Sequence, residues 1–176
     1  MAHHGYIPFA SMVTELLETP RVLEIGVDKG ITTFSMLHRL SLRSNKFTYV
    51  AVDILIRPEV LETVSYMGLD LKKNDIFLLE ENSLVALPQF VKNNLKFDLI
   101  FLDGDHNYYT AQNELREIKN LIHEDTIIIA DDYHGRWSNT DGFYCDYDDM
   151  KNNKKATPKK IAESKENQGV NQAIDN

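Results

Sequence analysis

Apolar residues follow two alternating patterns between about residue 10 and residue 130. Short continuous apolar runs predict buried strands, whereas apolar residues spaced three and four apart predict amphipathic helices. The runs predict strands at residues 21–25, 47–52, 75–79, 97–102 and 126–130. The helical spacing predicts helices at residues 8–19, 31–40, 58–67, 83–93 and 109–122. This alternation is typical of an α/β domain with a parallel sheet and helices on both faces.

The pattern changes after the fifth predicted strand. The residues that follow are first aromatic and acidic, then rich in lysine and asparagine. This composition predicts a flexible, solvated loop over residues 133–167. The sequence pattern of residues 168–176 predicts the start of a helix that is cut short. The whole chain, residues 1–176, therefore predicts a single domain, in which an N-terminal helical segment, residues 1–20, precedes a core at residues 21–132.

Charge and composition argue against several kinds of partner. The chain has 19 Lys and Arg against 27 Asp and Glu, a formal net charge of −8, which argues against a nucleic-acid partner. No apolar stretch approaches the ~20 residues needed to span a bilayer, so we expect no membrane partner. The N-terminus does not have the pattern of a signal peptide. Cys145 is the only cysteine, and a lone cysteine in an acidic chain favours the cytoplasm.

A glycine-containing turn follows the first predicted strand, at Gly26 and Gly30. Glycines let a backbone approach a ligand closely, and the next helix offers free N–H groups to an anion. Asp53, after the second strand, is placed to accept hydrogen bonds from ribose hydroxyls. The dinucleotide fingerprint Gly-x-Gly-x-x-Gly is absent because residue 28 is Asp28, which argues against an NAD-binding oxidoreductase.

Three carboxylates, Asp103, Asp131 and Asp132, directly follow the fourth and fifth predicted strands. Ligands of open α/β sheets bind at the carboxyl ends of the strands, so these side chains are expected to meet there. Carboxylate oxygens are the ligands that a divalent cation such as Mg²⁺ prefers. Any one of the three taken alone is as well explained by a solvated turn.

The first half of the chain resembles class I S-adenosylmethionine-dependent methyltransferases. Its segment Val22-Leu23-Glu24-Ile25-Gly26-x-x-x-Gly30 is similar to their first motif. The resemblance implies a Rossmann-like, doubly wound sheet of five parallel strands in the order 3-2-1-4-5, with residues 21–132 as its cofactor-binding core. It also implies a set of residues that bind S-adenosylmethionine: Glu24, Gly26, Gly30, Thr32, Asp53, Asn82, Ser83 and Asp103.

The resemblance assigns most of these residues to parts of the cofactor. Gly26 and Gly30 would border its methionine part, and Thr32 would hold the methionine carboxylate. Asp53 would bind the ribose. Asn82 and Ser83, in a segment similar to the one that follows the family's third strand, would border adenine.

The second half resembles the catechol-type metal-dependent O-methyltransferases. Segments 101–106 and 129–132 look like their metal-binding segments, which implies that Asp103, Asp131 and Asp132 hold a divalent cation, most simply Mg²⁺. His106 stands where that family often has a lysine general base, and histidine suits this role near neutral pH. The pattern Asp-Gly-Asp-His-x-Tyr also resembles a group of sugar and natural-product methyltransferases. The family's usual C-terminal strand pair has no counterpart in the chain.

We therefore expect transfer of a methyl group from S-adenosylmethionine to a hydroxyl of a small molecule, assisted by a divalent metal. The alternative is a catalytically inactive cofactor-binding or interaction domain of the same fold. The expected partner is a hydroxylated small molecule, and the protein could form a homo-oligomer. Aromatic residues that could wall the substrate site are Tyr108, Tyr109, Tyr133, Trp137, Phe143 and Tyr144.

Overall fold

A computed structural model describes residues 17–43, 46–69, 74–163 and 168–176. The strands are β1 Arg21–Ile25, β2 Thr48–Asp53, β3 Asp75–Glu80, β4 Leu99–Leu102 and β5 Ile127–Ala130. The helices are α1 Ile31–Arg43, α2 Pro58–Tyr66, α3 Ser83–Lys92, α4 Tyr108–Ile118, α5 Lys159–Ala162 and α6 Gly169–Asp175, with a 3₁₀ turn at Tyr144–Asp146.

The described strands form one parallel sheet in the order β3-β2-β1-β4-β5. The predicted sheet and its strand order are confirmed. Ile25, the last residue of β1, pairs with Val52 of β2 and Leu102 of β4. The carboxyl ends of the three central strands are therefore level, and the turns that follow them share one edge of the sheet.

Both faces of the sheet are covered, because the strands are apolar on both sides. Successive residues of β4 alternate between the two cores: Leu99 and Phe101 pack on one face, and Ile100 and Leu102 on the other. The first face receives α1 and α2, through residues such as Leu37. The second receives α3 and α4. The predicted doubly wound arrangement is confirmed.

Element ends differ from prediction where side chains replace backbone partners. Strand β4 starts at Leu99 rather than residue 97, because the Asp98 carboxylate accepts the backbone N–H of Arg21 at 2.7 Å. Helix α4 ends at Ile118, although Leu121 is still fully buried. Residues 8–16 of the predicted N-terminal helix lie outside the described residues.

Part of the predicted solvated loop packs on the sheet where the structure describes it. We call residues 143–162 the cap segment. Two of its apolar side chains, Met150 and Ala156, are buried against Ile54 after β2. Ile161, by contrast, is 51% exposed, and about half of the segment lies at the surface. The expectation of a solvated loop is therefore wrong at the buried positions.

The last described helix, α6, packs against α4 through Val170 and Ala173, which contact Ala111. In the part of the chain that the structure describes, we find no helix with the length and apolar character required to cross a membrane.

Gly26 sets how closely β1 and β4 approach at their carboxyl ends. Its φ is +90°, and a Cβ there would lie 1.7 Å from the carbonyl oxygen of Asp103. Gly68 also has a positive φ, +63°, but a Cβ there would have no neighbour within 4 Å. Alanine substitutions at the two glycines can therefore distinguish the free-energy cost of the backbone conformation from that of a steric clash.

We predict that Gly68→Ala lowers the free energy of unfolding by about 1 kcal/mol, the cost of a left-handed backbone in an L-residue. Gly26→Ala should cost several times more, because the added methyl group must push β4 away. Urea unfolding of both variants measures the difference. Equal losses would show that the approach of Gly26 to Asp103 is not tight.

Candidate active site

The turns after the central strands enclose a pocket of about 30 Å³ at the carboxyl edge of the sheet. Gly26, Asp53, Asn82 and Ser83 line it, together with residues after β4 and from the cap segment. Four of the predicted cofactor-binding residues are thus brought to one cavity. The volume is that of about one water molecule in the liquid.

Asp53 holds the glycine turn in shape. Its Oδ2 accepts the backbone N–H groups of Val27 at 2.7 Å and Asp28 at 3.1 Å, and its Oδ1 accepts that of Leu55 at 3.0 Å. Asp28 is held at φ 44°, a conformation that aspartate tolerates better than most residues. A carboxylate offers roughly four acceptor positions, so Asp53 can still accept a hydrogen bond from a ligand in the pocket.

Gly30 and Thr32 begin α1 on the other side of the turn. A Cβ at Gly30 would lie 2.7 Å from the ring of Phe34, so packing alone requires glycine there. Thr32 is buried in the first turn of the helix. Both residues follow the turn that Asp53 orders, but neither is among the residues that line the cavity.

Glu24 lies within the sheet, not on the pocket wall. Its Oε2 accepts the hydroxyls of Thr33 at 2.6 Å and Tyr49 at 2.8 Å. Among the described residues its Oε1 has no hydrogen-bond partner. Burial raises the pKa of Glu24 to about 7, against these two hydrogen bonds. The structure places Glu24 beneath the glycine turn, where it ties β1 to α1 and β2.

Asn82 and Ser83 form the wall opposite the glycine turn. Asn82 caps α3 by accepting the N–H of Leu84 at 2.8 Å. Its amide also donates to the carbonyl of Lys155 at 2.6 Å and the hydroxyl of Thr157 at 3.1 Å. The cap segment is thereby fixed to the side chain that was predicted to border adenine.

The cap segment is tied to the carboxyl edge at three further places. Arg57 pairs with Asp149 at 2.7 Å and also with Asp28 in the glycine turn at 3.2 Å. Asn153 donates to the carbonyl of Ile54 at 2.9 Å. Lys155 pairs with the carboxylate of Glu80 at 3.0 Å. These are polar and partly exposed contacts, which are individually weak.

The acidic turns after β4 and β5 meet beside the pocket. Asp103 and Asp131 share a hydrogen bond, and burial, followed by the charges of Asp131 and Asp132, raises the pKa of Asp103 to about 8. Asp132 is held at φ 57°, and such conformations are characteristic of functional turns. The structure thus brings the three predicted metal ligands to neighbouring turns, where burial and mutual repulsion favour a proton on Asp103.

His106 faces this cluster. Its Nδ1 lies 3.3 Å from Oδ2 of Asp132. Its ring lies parallel to Trp137 at 6.4 Å and edge-on to Tyr144 at 5.6 Å. Burial lowers the pKa of His106, and the negative charges of Asp132 and Asp131 oppose that shift. The side chain is therefore oriented by its neighbours and favoured in the neutral form.

A formed metal site is not present in this arrangement. Over the described residues, no three His, Cys, Asp or Glu side chains are gathered as ligands of one ion. Asp132 points to His106, whereas Asp103 and Asp131 bond each other. The three carboxylates are suitable oxygen donors, but the hydrogen bond between Asp103 and Asp131 would have to open before one ion could bind all three.

Tyr144 is the aromatic residue that enters the pocket. Burial raises its pKa well above the ordinary value, and the charges of Asp103, Asp53 and Asp105 raise it further. The backbone N–H of Tyr144 donates to Asp105 at 2.8 Å. Tyr144 therefore contacts both the pocket and His106.

Two buried residues of α4 were not selected from the sequence. Thr110 lines the pocket, and Glu114 lies behind Gly104 and Ser83. A signal was available: Glu114 shares the apolar helix face of Ala111 and Ile118, where a glutamate is unusual.

A family model described as a methyltransferase domain matches residues 23–133, more than half of the chain. No curated protein matches the sequence. The structural neighbours include a SAM-dependent methyltransferase from Agrobacterium tumefaciens, with 12% identity and a TM-score of 0.57. The match covers 72% of this chain and 43% of that chain.

Two further neighbours were solved with ligands. An O-methyltransferase from Bacillus cereus in complex with SAH has 19% identity and a TM-score of 0.56, with 74% of this chain and 56% of that chain covered. The MycE methyltransferase of mycinamycin biosynthesis, in complex with Mg, SAH and mycinamycin VI, has 17% identity and a TM-score of 0.55. The match to MycE covers 76% of this chain and 34% of that chain. At these identities the likeness shows the fold.

The buried carboxyl of Glu24 makes stability depend on pH. In the folded protein it holds its proton up to about pH 7, whereas its ordinary pKa is 4.5. The folded state therefore binds the extra proton between these values, and the free energy of unfolding falls as pH rises through them. Glutamine does not ionise. We therefore predict that the free energy of unfolding of Glu24→Gln falls by about 3 kcal/mol less than that of the wild type over this pH range.

Chemical unfolding of both proteins between about pH 4 and pH 8 measures the effect. Other raised carboxyls, such as Asp105, contribute in both proteins, so the difference between the two curves reports Glu24 together with its effect on the pKa of Asp103. Parallel curves would mean that Glu24 is ionised in the folded state.

Proposed function

We propose that this chain, which belongs to the methyltransferase domain family, transfers a methyl group from S-adenosylmethionine to a hydroxyl of a small molecule. The observation that carries the proposal is the pocket at the level carboxyl ends of β1, β2 and β4, with a glycine turn on one side and a histidine–carboxylate cluster on the other. Neighbours of the same fold described as an O-methyltransferase and as complexes with SAH support it.

The residues on the cofactor side fit S-adenosylmethionine. Gly26 has no side chain to obstruct a ligand, and Asp53 retains an acceptor position for a ribose hydroxyl. Asn82 and Ser83 offer amide and hydroxyl groups to adenine. When bound, the cofactor supplies a methyl group on a sulfonium, which is already electrophilic.

His106 would act on the acceptor. Asp132 beside Nδ1 favours the tautomer with a proton on that nitrogen, which leaves Nε2 as the base. Nε2 would take the proton of the acceptor hydroxyl as that oxygen receives the methyl group. Trp137 and Tyr144 hold the imidazole in place by their ring contacts.

A divalent cation is proposed as the partner of the acidic cluster. Asp103, Asp131 and Asp132 would hold it, and its charge would offset the repulsion that raises the pKa of Asp103. Such an ion would supply Lewis-acid polarisation of the acceptor hydroxyl. Magnesium in the MycE complex supports this choice.

The cap segment must move for a ligand of nucleoside size to enter. Small-molecule sites commonly measure about 300 Å³ or more, whereas this cavity measures about 30 Å³. Tyr144, Ala156 and Thr157 of the cap segment line the cavity, so movement of the segment would enlarge it. The polar ties of the segment are individually weak, but its displacement would also expose the buried side chains of Met150 and Ala156.

We predict that calorimetric titration finds micromolar binding of S-adenosylhomocysteine to the wild-type chain. Asp53→Asn should weaken it by about tenfold, through loss of one charged acceptor. Asp75→Asn, an exposed carboxylate at the start of β3, is the matched control. If the folded wild-type protein does not bind, the proposed function is wrong.

Transfer of a labelled methyl group to a panel of hydroxylated acceptors then separates an enzyme from an inactive binding domain. Product formation that is lost in His106→Ala supports catalysis. Binding without transfer to any acceptor favours the interaction domain.

We predict that Mg²⁺ raises the melting temperature of the wild-type protein by roughly 5 °C at saturating concentration. Asp131→Asn should abolish the shift, because it removes a ligand charge. Asp148→Asn, whose side chain is fully exposed in the cap segment, should keep it. A shift that persists in Asp131→Asn would remove the acidic cluster as the site of the ion.

A further inference from the structure

Glu114 places a carboxyl group directly behind the pocket wall. It projects from α4 with 1% of its surface exposed. A Cβ on Gly104 would lie 2.8 Å from its Oε1, and the hydroxyl of Ser83 is within hydrogen-bonding reach of the carboxyl. Both Gly104 and Ser83 line the pocket, so Glu114 is separated from a bound ligand by one residue.

The back of the pocket has unused hydrogen-bonding capacity. Among the described residues, Oε1 of Glu114 and Oγ1 of Thr110 have no hydrogen-bond partner. Thr110 lies one helical turn before Glu114 and lines the pocket. Buried polar atoms without partners lower stability, because their lost hydration is not replaced by a hydrogen bond. A carboxyl retained there at such a cost indicates a role that an apolar side chain would not fill.

The carboxyl is favoured in its neutral form. Burial raises the pKa of Glu114 to about 8, with a further rise from the charge of Asp105, while the bond to Ser83 opposes the shift. A neutral acid has an O–H to donate. It can therefore donate to the oxygen of Ser83, which leaves the hydroxyl hydrogen of Ser83 available to the pocket. An ionised carboxylate would instead take that hydrogen for itself.

We propose that Glu114 is a positioning residue for the nucleobase, which orients Ser83 so that its hydroxyl donates a hydrogen bond to an adenine ring nitrogen. This inference rests on the proposed function, because it assumes that the pocket receives S-adenosylmethionine. It predicts that the Glu114–Ser83 pair selects a nucleobase whose ring nitrogen accepts a hydrogen bond from Ser83. Hypoxanthine has an N–H where adenine has the lone pair of N1, so it tests that preference.

The experiment compares binding of S-adenosylhomocysteine and S-inosylhomocysteine by calorimetry. The wild-type chain should prefer the adenine compound by about tenfold, the value of one hydrogen bond. Ser83→Ala and Glu114→Ala should both lose that preference. Glu114→Gln should keep it, because its amide donates to Ser83 as the neutral acid does. Glu117→Gln, one turn further along α4, is the matched control.

A residue that only supported packing would lower the affinity for both compounds equally, without changing their ratio. An unchanged ratio in Ser83→Ala or Glu114→Ala therefore overturns the inference, and so does a lost preference in Glu114→Gln. If Glu114→Ala does not fold, Ser83→Ala and Glu114→Gln still test the inference. A wild-type chain that binds neither compound refutes the proposed function as well, whereas binding with an unchanged ratio refutes this inference alone.

Discussion

The contact between Gly26 and the carbonyl of Asp103 determines the geometry of the whole site. The two residues follow β1 and β4, neighbours in the centre of the sheet, and no side chain fits between them. This contact brings the glycine turn and the acidic turn to the same cavity. Asp53, at the end of the next strand, then fixes the glycine turn through the backbone N–H groups of Val27 and Asp28.

Negative charge is concentrated at this edge of the sheet. Burial raises the pKa of Glu24, Asp103, Asp105 and Glu114, and all four lie in or behind the carboxyl-end turns. Grouping carboxyls in this way destabilises the folded chain as they ionise. Groups with such shifts are common in active sites, and here a cationic sulfonium or a divalent ion would offset their charge.

The sequence predicted those parts of the fold that depend on local pattern. Apolar runs located the five strands, and the residues that follow β1, β2, β3 and β4 supplied Gly26, Asp53, Asn82 and Asp103. The cap segment could not be predicted in the same way, because its contacts are polar and distant in sequence. Asn82 reaches Thr157 across 75 residues, and Asn153 reaches Ile54 across 99.

Glu114 was missed for a different reason. Its position is encoded in the apolar face of α4, but its partner Ser83 belongs to another helix, and only the folded chain shows that they meet. Glu24 was assigned to the cofactor site through the family resemblance, and that role stays a prediction. The structure places it under the glycine turn, where its acceptors serve Thr33 and Tyr49.

The most direct test of the proposed site is a crystal structure of the chain with S-adenosylhomocysteine. We expect the ligand between Gly26, Asp53 and Ser83, with the cap segment displaced from Asn82 so that the cavity exceeds its present volume of about 30 Å³. A ligand bound elsewhere, with Asn82 still bonded to Lys155 and Thr157, would contradict it.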